Sequence, residues 1–484
     1  MSLDKQKIVG RVSDSVTRQV ESEFETSVGL WSANSTYTAD FIDTVYGELP
    51  SNLKEAKLST ICEKNGVQTG PFGSQLHKED YVDKGTPIIT VEHLGENRIV
   101  HENLPRVSDE DKARLSKYQL KTGDIVFSRV GSVDRRALVQ AKENGWLFSG
   151  RCLRVRPIQE IVDSRWLSYF FGLPAFKNYI RGIAVGATMP SLNTKILSDV
   201  PIYFPPLDIQ KSAAKLLVDL DDRIALLRET NATLEAIAQA LFKSWFVDFD
   251  PIHAKKQGRE PEGMDADTAA LFPDSFEESA VGLAPKGWRF GILGDITETV
   301  KKQLPPSKLN ANMCYIGLEH IPRQSLSLTN WGNPEGLESA KAAFSESDIL
   351  FGKLRPYFHK VVIAPFDGVC STDILVCQSK KTAYYGMVAM CLFSTALVDY
   401  ASRLSNGAKM PRINWKDLAE YPICIPPEAL AAEYSKTIKP LFERMAANVH
   451  QAQTLTTLRD TLLPRLISGQ LRLPDAEAML EETT

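Results

Sequence analysis

The chain carries one sequence module twice. The segment Gly186-Ala187-Thr188-Met189-Pro190-Ser191-Leu192-Asn193 returns 221 residues later as Gly407-Ala408-Lys409-Met410-Pro411-Arg412-Ile413-Asn414, and we call these two segments the shared element. The match continues without a gap, because residues 200–206 align with residues 421–427 at the same offset. A module repeated once predicts a pseudo-two-fold molecule that can touch two similar targets at a fixed separation.

The repeat divides the chain into segments of different character. Residues 1–48 are predicted to be an acidic helical segment that belongs to neither copy. The two modules read as mixed short strands and helices. The connection after the first spacer helix is polar and lacks apolar periodicity, which predicts a linker. The predicted segments after residue 48 are the first module (49–206), a central spacer helix (207–250), the linker (251–284), the second module (285–427), a C-terminal spacer helix (428–470) and a tail (471–484).

Each module is followed by a long helix with an apolar seam. Apolar residues recur in steps of three and four over four heptads, which is typical of a helix that supercoils against a partner. Asn231 and Asn448 fall on this pattern, where they either fix the register or turn outward. Two antiparallel rods of roughly 60 Å would hold the modules apart like a ruler. The seam leucines are Leu220, Leu227, Leu234, Leu241, Leu441, Leu455 and Leu462.

These observations predict the fold class. It is α+β, with two pseudo-two-fold-related mixed α/β domains separated by two long antiparallel, coiled-coil-like helices.

The net charge of −4 is unevenly distributed along the chain. Residues 51–205 hold 22 Lys and Arg against 17 Asp and Glu, a net charge of +5, and residues 285–427 hold 16 against 12, a net charge of +4. Basic modules on an acidic frame predict two patches that attract DNA, although imbalances of this size also arise by chance.

The cysteine content and the apolar runs predict the cellular compartment of the protein. An odd number of cysteines without a C-x-x-C pair predicts reduced thiols in a cytoplasm. No apolar run follows the N-terminus, so no secretory signal is predicted. The longest apolar stretch, residues 384–398, is shorter than the roughly 20 residues that span a bilayer and predicts a buried helix.

Catalytic and metal-binding motifs are missing from the sequence. We find no phosphate-binding Walker loop, no dinucleotide fingerprint, no [DN]-P-P-[FY] motif of amino-methyltransferases and no convincing nuclease pattern. His77, His93 and His101 lack metal-ligand spacing. Together these absences favour a binding or scaffolding protein over an enzyme, and predict no metal and no cofactor on this chain.

Several stretches together resemble the specificity subunit of type I restriction–modification systems. The resemblance covers residues 49–473, and residues 1–48 extend beyond what it requires. The stretches that carry it are Thr69-Gly70-Pro71-Phe72-Gly73-Ser74 with Asp80-Tyr81 and Gly85-x-Pro87, Leu241-Phe242-Lys243-Ser244-Trp245-Phe246-Val247-Asp248-Phe249-Asp250-Pro251, Pro285-x-Gly287-Trp288 with Leu293-Gly294-Asp295-Ile296, and Leu463-Pro464-Arg465-Leu466-Ile467-Ser468-Gly469-Gln470-Leu471.

The resemblance implies a non-catalytic, cytoplasmic subunit of bacterial or archaeal origin. Each module would be a target recognition domain that reads one half of a split sequence in double-stranded DNA. The helices would set the spacing and dock two methyltransferase (modification) subunits, which bind S-adenosylmethionine and methylate adenine. Motor-nuclease subunits that use ATP and Mg²⁺ would complete the restriction enzyme, and the present chain would hold none of these cofactors.

Candidate DNA contacts cluster in two segments of the first module. Polar side chains surround the Gly-Pro-Phe-Gly turn, where glycines allow close approach of the backbone to a phosphate, and arginines concentrate in the loop that follows a strand. An ordinary surface turn and a solvated charged loop are the alternatives. The candidates are Gln68, Thr69, Ser74, Gln75 and Lys78 in the turn, and Arg129, Ser132, Arg135 and Arg136 in the loop, which we call the first basic loop (residues 129–136).

The second module has a matching segment, the second basic loop (residues 353–360), where basic residues alternate with an aromatic ring. The recurrence of the shared element indicates a common role, either phosphate anchoring or plain turn formation. The candidates are Lys353, Arg355, Tyr357, His359 and Lys360 in the loop, and Thr188, Asn193, Lys409, Arg412 and Asn414 in the shared element.

A different class of function remains open from the residues alone. The duplicated modules could bind peptide or protein partners as a non-catalytic scaffold, although their mildly basic character fits this alternative less well than DNA.

Overall fold

The computed structural model describes residues 40–186, 188–279, 282–407, 409–471, 474–476 and 478–479, without the side chains of Ser74, Lys78 and Ser279. The chain forms two compact units. Among the described residues, the first unit combines residues 40–218 with those from 460 onwards, and the second unit lies within residues 219–459.

The first unit contains short strands and short helices. The strands are β1 (Phe41–Thr44), β2 (Gly47–Pro50), β3 (Lys54–Lys57), β4 (Gln68–Thr69), β5 (Tyr81–Val82), β6 (Thr86–Ile89), β7 (Arg106–Val107), β8 (Ile125–Ser128), β9 (Arg136–Leu138), β10 (Leu147–Phe148), β11 (Cys152–Val155) and β12 (Pro201–Phe204). The helices are α1 (Asp109–Arg114), α2 (Ser164–Phe170), α3 (Pro174–Ile183) and α4 (Thr194–Ser198), and the long helix α5 (Leu207–Phe246) contributes residues to both units.

The core of the first module surrounds its central antiparallel sheet, which has the strand order β4-β11-β8-β9. All residues of β8 and β11 are buried, so both faces of the sheet are covered. Phe127 packs edge-on against Phe171, with 4.8 Å between ring centroids. Val126, the next residue, joins a cluster with Ile88 and Phe148 of the second sheet. The alternation of side chains along β8 therefore ties helices and sheet into one domain.

The second unit repeats this arrangement with its own elements. Its strands are β13 (Phe276–Ser279), β14 (Gly282–Pro285), β15 (Arg289–Ile292), β16 (Thr297–Thr299), β17 (Gln303–Leu304), β18 (Cys314–Ile316), β19 (Lys341–Phe344), β20 (Ile349–Gly352), β21 (Val361–Ile363), β22 (Gly368–Cys370), β23 (Ile374–Ser379) and β24 (Pro422–Ile425). Its helices are α6 (Asp250–Lys256), α7 (Ala266–Ala270), α8 (Leu293–Ile296), α9 (Tyr385–Phe393), α10 (Thr395–Leu404) and α11 (Trp415–Ala419), and the long helix α12 (Glu428–Ile467) again contributes to both units.

The two modules share most of their topology. The hairpin β1–β2 corresponds to β13–β14, and the strand pair β3–β12 corresponds to β15–β24. The central sheet β4-β11-β8-β9 corresponds to β16-β23-β20-β21 in the same order. The internal duplication predicted from sequence is therefore a duplication of the fold.

The remaining sheet differs between the modules. In the first module the order is β10-β6-β7-β5, and β6 pairs in parallel with β10 and antiparallel with β7. In the second module the order is β17-β19-β22-β18, and β22 pairs in parallel with β18 and antiparallel with β19. In the first module the inner strand of the parallel pair, β6, comes earlier in the chain than its edge partner β10. In the second module the inner strand, β22, comes later in the chain than its edge partner β18.

The predicted N-terminal helical segment is wrong for the part that the structure describes. Residues 1–39 lie outside the described residues, and residues 41–50 form the antiparallel hairpin β1–β2, with Phe41 opposite Pro50. Gly47 turns the chain with a φ of +94°, a conformation that favours glycine. The hydroxyl of Tyr46 donates to the main-chain oxygen of Pro201 at 2.7 Å, so the hairpin is part of the first unit.

The segment predicted as a linker, residues 251–284, contains ordered elements. Helices α6 and α7 and strand β13 lie within it or overlap it. Ile252 and Phe272 are fully or almost fully buried, and the ring of Phe272 lies 5.2 Å from that of Trp245. A few apolar anchors in a polar segment are enough to hold it on the core, although they leave no periodic pattern.

The long helices α5 and α12 pair antiparallel within the second unit. The hydroxyl of Tyr434 donates to the main-chain oxygen of Ala238, and Arg459 forms an ion pair with Asp221 at 2.7 Å. The residue numbers in contact therefore rise along α12 as they fall along α5, so the two helices are antiparallel, which confirms the predicted pairing. Of the predicted seam, Leu220, Leu227, Leu455 and Leu462 are buried, and Leu234, Leu241 and Leu441 are partly buried against the core.

The long apolar stretch forms two helices, not one. Helices α9 and α10 meet at Ser394, which caps α10 by accepting from the main-chain nitrogen of Leu397. Residues 387–393 are all buried, as the sequence predicts. In the described part of the chain, no single helix has the length and apolar character to span a membrane, and the bent pair Thr382–Phe393 and Thr395–Leu404 passes that test only when its two helices are joined.

Candidate nucleic-acid interface

In the first module, the first basic loop and the shared element are held together by main-chain hydrogen bonds. The nitrogen of Leu192 donates to the oxygen of Arg129 at 2.8 Å, and the nitrogen of Gly131 donates to the oxygen of Pro190 at 2.9 Å. Two segments that are about 60 residues apart in sequence therefore form one continuous surface.

The second module repeats this junction. The nitrogen of Ile413 donates to the oxygen of Lys353 at 3.1 Å, and the nitrogen of Arg355 donates to the oxygen of Pro411 at 2.7 Å. The structure thus brings the two predicted contact segments together in both modules, on the same backbone frame.

The shared element is a tight, exposed turn. Gly186 and Gly407 adopt φ values of +107° and +112°, in the left-handed region that favours glycine. Val185 and Ser191 exchange two main-chain hydrogen bonds across the first turn, and Asn406 and Arg412 do the same in the second copy. These bonds close each turn at its base.

The two asparagines of the shared element cap helices. The side chain of Asn193 accepts from the main-chain nitrogen of Ile196 at the start of α4, and the side chain of Asn414 accepts from that of Asp417 at the start of α11. These bonds satisfy main-chain donors that the first helical turn leaves unpaired. The recurrence of asparagine in both copies is thus explained by capping.

Arg129 links the first basic loop to the Gly-Pro-Phe-Gly turn. Its guanidinium lies over the half-exposed ring of Phe72, 4.7 Å from the centroid, and donates to the main-chain oxygen of Gly150 at 3.1 Å. A Cβ on Gly150 would lie only 2.4 Å from the main-chain oxygen of Pro71, so glycine is required for this close packing. A stacked, partly exposed guanidinium is pre-positioned for a ligand.

The other turn candidates mostly serve the fold. The Oε1 atom of Gln68 accepts from buried Arg154 at 2.7 Å, and the Oε1 atom of Gln75 accepts from the hydroxyl of Tyr118 at 2.6 Å. Thr69 lies half-buried in β4. The side chains of Ser74 and Lys78 lie outside the described residues.

The arginines of the first basic loop have different environments. Arg136 is only 2% exposed, donates to the main-chain oxygen of Ser168 and forms an ion pair with Glu96 at 3.1 Å. It is a core residue because β9 turns its side chain towards α2, so it offers no free guanidinium to DNA. Arg135 is exposed, and its guanidinium donates to the main-chain oxygen of Leu94. Ser132 is exposed, as is Thr188 of the shared element.

His359 in the second basic loop is also a core residue. It is 6% exposed, and its Nε2 atom lies 2.8 Å from the main-chain oxygen of Phe393. Burial lowers the pKa of this imidazole, so it stays neutral over a wider pH range. It therefore has no charge to offer a phosphate.

The remaining candidates of the second module lie at or near the surface. Arg355 donates to the main-chain oxygen of Lys409 at 3.1 Å, and exposed Arg412 forms an ion pair with Asp373 at 3.0 Å. Half-buried Lys360 donates to the main-chain oxygen of Leu318, and burial together with nearby Arg323 lowers the pKa of its ammonium group. Lys353 is half-buried, and Tyr357 and Lys409 are exposed.

Two arginines that the sequence reading missed join the interface. The main-chain oxygen of exposed Arg151 accepts from the nitrogen of Arg129 at 2.8 Å, which places Arg151 beside the first basic loop. Exposed Arg323 lies over the ring of Phe358, 4.1 Å from the centroid. Arg323 lies in no basic cluster along the chain, and Arg151 shares its segment with the arginines at 154 and 156, in and just after a buried strand, so only ring packing and strand pairing reveal the two exposed positions.

The two surfaces present side chains that suit binding. Among the described residues, no group of three or more His, Cys, Asp or Glu side chains could hold a metal ion. What the two surfaces present is guanidinium and ammonium groups, hydroxyl groups and rings on a shared frame, which is the side-chain chemistry of nucleic-acid contact.

Known proteins share this architecture. The family model described as the type I restriction modification DNA specificity domain matches residues 50–236 and 285–456. The type I restriction enzyme MjaIX specificity subunit of Methanocaldococcus jannaschii is 27% identical over 92% of this chain and 100% of its own length. The HindI specificity subunit of Haemophilus influenzae is 24% identical over 78% of this chain and 92% of its own length.

A solved structure agrees with the fold. The S subunit of a type I restriction–modification system from M. genitalium superposes with a TM-score of 0.52 at 14% identity, covering 86% of this chain and 96% of that one. The family model spans well over half of the chain and includes both modules and much of both long helices. The chain therefore belongs to the family of type I restriction–modification DNA specificity proteins.

Proposed function

We propose that each module reads one half of a bipartite DNA target through the surface formed by its basic loop and its shared element. The chain is a DNA sequence-recognition subunit of the type I restriction–modification class, and its family lacks catalytic activity of its own. Nothing in the family match favours the alternative of a protein-binding scaffold.

One observation carries the proposal. The two modules use the same backbone junction but present different side chains on it. Where the first module has Arg151 and Ser191, the second has Asp373 and Arg412. A constant frame with exchanged polar groups is what two readers of different half-sites require, because base edges are distinguished by their donors and acceptors.

The charge of each module supports DNA as the ligand. The net charges of +5 and +4 are opposite to that of the rest of the chain, which attracts the phosphate backbone to the modules. Arg129 and Arg412 can each place two donors on a guanine edge, while Ser132, Thr188 and Lys409 suit phosphate oxygens.

We further propose that α5 and α12 set the spacing between the half-sites. Each helix has 40 residues, a length of about 60 Å, and their antiparallel seam in the second unit gives them stiffness. The exposed faces of these helices would dock two methyltransferase subunits, which carry S-adenosylmethionine. Motor-nuclease subunits with ATP and Mg²⁺ would complete a restriction enzyme that works in the cytoplasm.

The test is a module exchange followed by mapping of methylated adenines in a host genome. Replacing residues 51–205 with the corresponding module of a relative should change one half-site and leave the other half-site and the gap unchanged. A simultaneous change of both half-sites would contradict the modular proposal. A chain that fails to bind DNA with its modification subunits present, at any salt concentration, would contradict DNA recognition itself.

Single substitutions in the two modules serve as a matched pair. Arg129→Ala should weaken binding to duplexes by about tenfold through the first half-site, and Arg412→Ala should do so through the second, because each removes one bidentate contact. Base changes within the affected half-site should then matter less, while base changes in the other half-site should keep their full effect.

A further inference from the structure

Two exposed methionines lie at equivalent positions in the two copies of the shared element. Met189 is 64% exposed and Met410 is 49% exposed. Met387, Met390 and Met445, by contrast, are at least 96% buried. An unbranched apolar side chain held in water at the same place in both copies contributes nothing to the core.

The exposure of these side chains is imposed by the frame. The residue after each methionine is a proline whose main-chain oxygen accepts from the basic loop, and Leu192 and Ile413, three residues beyond the methionines, are each 1% exposed. The left-handed glycine before each methionine and the buried anchor after it fix the turn from both sides. The junction therefore holds the backbone of each methionine at the surface of its module.

The residues around the two methionines indicate the kind of ligand that contacts them. The shared element contains no carboxylate in either copy. It is bonded to the main chain of Arg129 in the first module and of Arg355 in the second, where it also holds Lys409 and Arg412, the latter paired with Asp373. An apolar side chain beside basic residues is complementary to a polyanion with apolar faces, which is the chemistry of DNA.

The equivalent positions of the two methionines limit which groups of DNA they can contact. Thr188 and Ser191 beside Met189 are replaced by Lys409 and Arg412 beside Met410, so the polar neighbours have diverged while the methionine has not. A contact made in both half-sites must touch something that every sequence presents. Deoxyribose rings are such groups, and so are base faces at a partly unstacked step, whereas base edges are not.

We infer that Met189 and Met410 are apolar wedges that pack against deoxyribose and base faces in the groove, anchoring each module without reading sequence. This inference rests on the proposed DNA recognition and adds a class of contact to it. The wedges fix the depth of each module on the duplex, and the polar side chains beside them then read the bases.

The test compares isosteric variants in the full-length chain purified with the modification subunits of its own system. Met189→Gln keeps the shape of the side chain but makes it polar, whereas Met189→Leu keeps it apolar, and Met410 is treated in the same way. Leu283→Ala is the control, because Leu283 is 67% exposed and lies in the hairpin β13–β14, away from the shared element.

Binding is measured on a panel of duplexes with single base changes in each half-site. Each glutamine variant should lose about tenfold in affinity for every duplex of the panel, each leucine variant should stay within about threefold of the wild type, and the control should not change. The rank order of the duplexes should be the same in all variants.

Two results would overturn the wedges. One is a glutamine variant that binds as tightly as the wild type, and the other is a changed preference at one base position, which would make the methionine a sequence reader. Failure of the proposed function is seen separately, because it would show in the wild type as an absence of half-site preference.

Discussion

Asn448 donates a hydrogen bond from Nδ2 to the Oδ1 atom of Asn231 at 2.8 Å, and the Nδ2 atom of Asn231 donates to the main-chain oxygen of Met445 at 3.0 Å. Both side chains are at least 95% buried between α5 and α12. Of the two roles that the sequence left open for these asparagines, the inward one is present. A buried amide pair can be satisfied only at one alignment of the two helices, so it favours a single register.

Breaking this pair from one side should destabilise the second unit. Asn448→Ala leaves the Oδ1 atom of Asn231 buried without a donor, and we expect the free energy of unfolding to fall by about 2 kcal/mol. The double variant Asn231→Leu with Asn448→Leu should recover most of that loss, because it removes both polar groups together. Chemical denaturation followed by circular dichroism measures both free energies of unfolding. A double variant that is less stable than Asn448→Ala would argue against a coupled pair.

Arg355 has a strained backbone at the centre of the candidate interface. Its φ is +52°, and the equivalent position in the first module is Gly131, with a φ of +77°. Arg355→Gly should therefore raise the free energy of unfolding by about 1 kcal/mol while weakening binding to the second half-site. Arg355→Ala is the matched control, because it removes the guanidinium but keeps the strain. Equal stability of the two variants would show that the strain has no cost.

The capping asparagines should affect stability and not sequence preference. Asn193→Ala and Asn414→Ala each remove the acceptor at the start of a short helix, and each should lower the free energy of unfolding by about 1 kcal/mol. Aspartate at either position should restore the stability. If an alanine variant instead kept its stability and changed its target preference in the methylation map, the asparagine would be a DNA reader after all.

Glu235 should give the second unit a pH-dependent stability. Its carboxylate is buried, accepts from the main-chain nitrogen of Leu326 at 2.6 Å, and burial raises its pKa. Because the folded-state pKa lies above the unfolded one, the stability associated with the protonated form is present at low pH and is lost as pH rises through the folded pKa.

Glu235→Gln should remove this contribution. We expect the glutamine variant to gain stability relative to the wild type as pH rises above the ordinary glutamate range, because a neutral amide can keep the hydrogen bonds of the protonated acid. Thermal unfolding between pH 4 and pH 8, values spanning the ordinary glutamate pKa and neutrality, tests this. Parallel pH profiles for the two proteins would contradict it.

The long helices were predictable because their signal is regular. A seam sustained over four heptads leaves few alternatives, and the leucines at 220, 227, 455 and 462 are buried as expected. The direction of Asn231 was not predictable, since an amide on a seam is compatible with both orientations until the partner residue is known. Tertiary pairing, which brings Asn448 to it, decides the outcome.

The interface was predictable as segments but not as individual side chains. Both basic loops and both copies of the shared element meet, yet Arg136 and His359 point into the core. Charged residues near the end of a strand face either side of the sheet according to the strand register, and one sequence does not reveal that register. Arg151 joins the surface only through pairing of strands distant in sequence.

Short local signals also escaped the sequence reading. The hairpin at residues 41–50 repeats the one at residues 276–285, but only the phenylalanine, glycine and proline of the pattern persist. Likewise His93 and His320 each accept, through Nδ1, from the main-chain nitrogen three residues earlier, within a repeated Glu-His pair. Such turns depend on two or three residues, too few to stand out from a diverged background.

The exchanged strand order in the outer sheets limits how the two copies can recombine. A crossover between residues 86 and 148 of one copy and the corresponding part of the other would combine the two inner strands, β6 and β22, in one product and the two edge strands, β18 and β10, in the other, so neither product could form its parallel pair in the native order. Crossovers that fall in the long helices leave each sheet intact, and crossovers in the shared element exchange only β12 and β24, which pair in the same way with β3 and β15. We therefore expect recombination between the two copies to exchange whole modules, with breakpoints in the parts that both copies build alike.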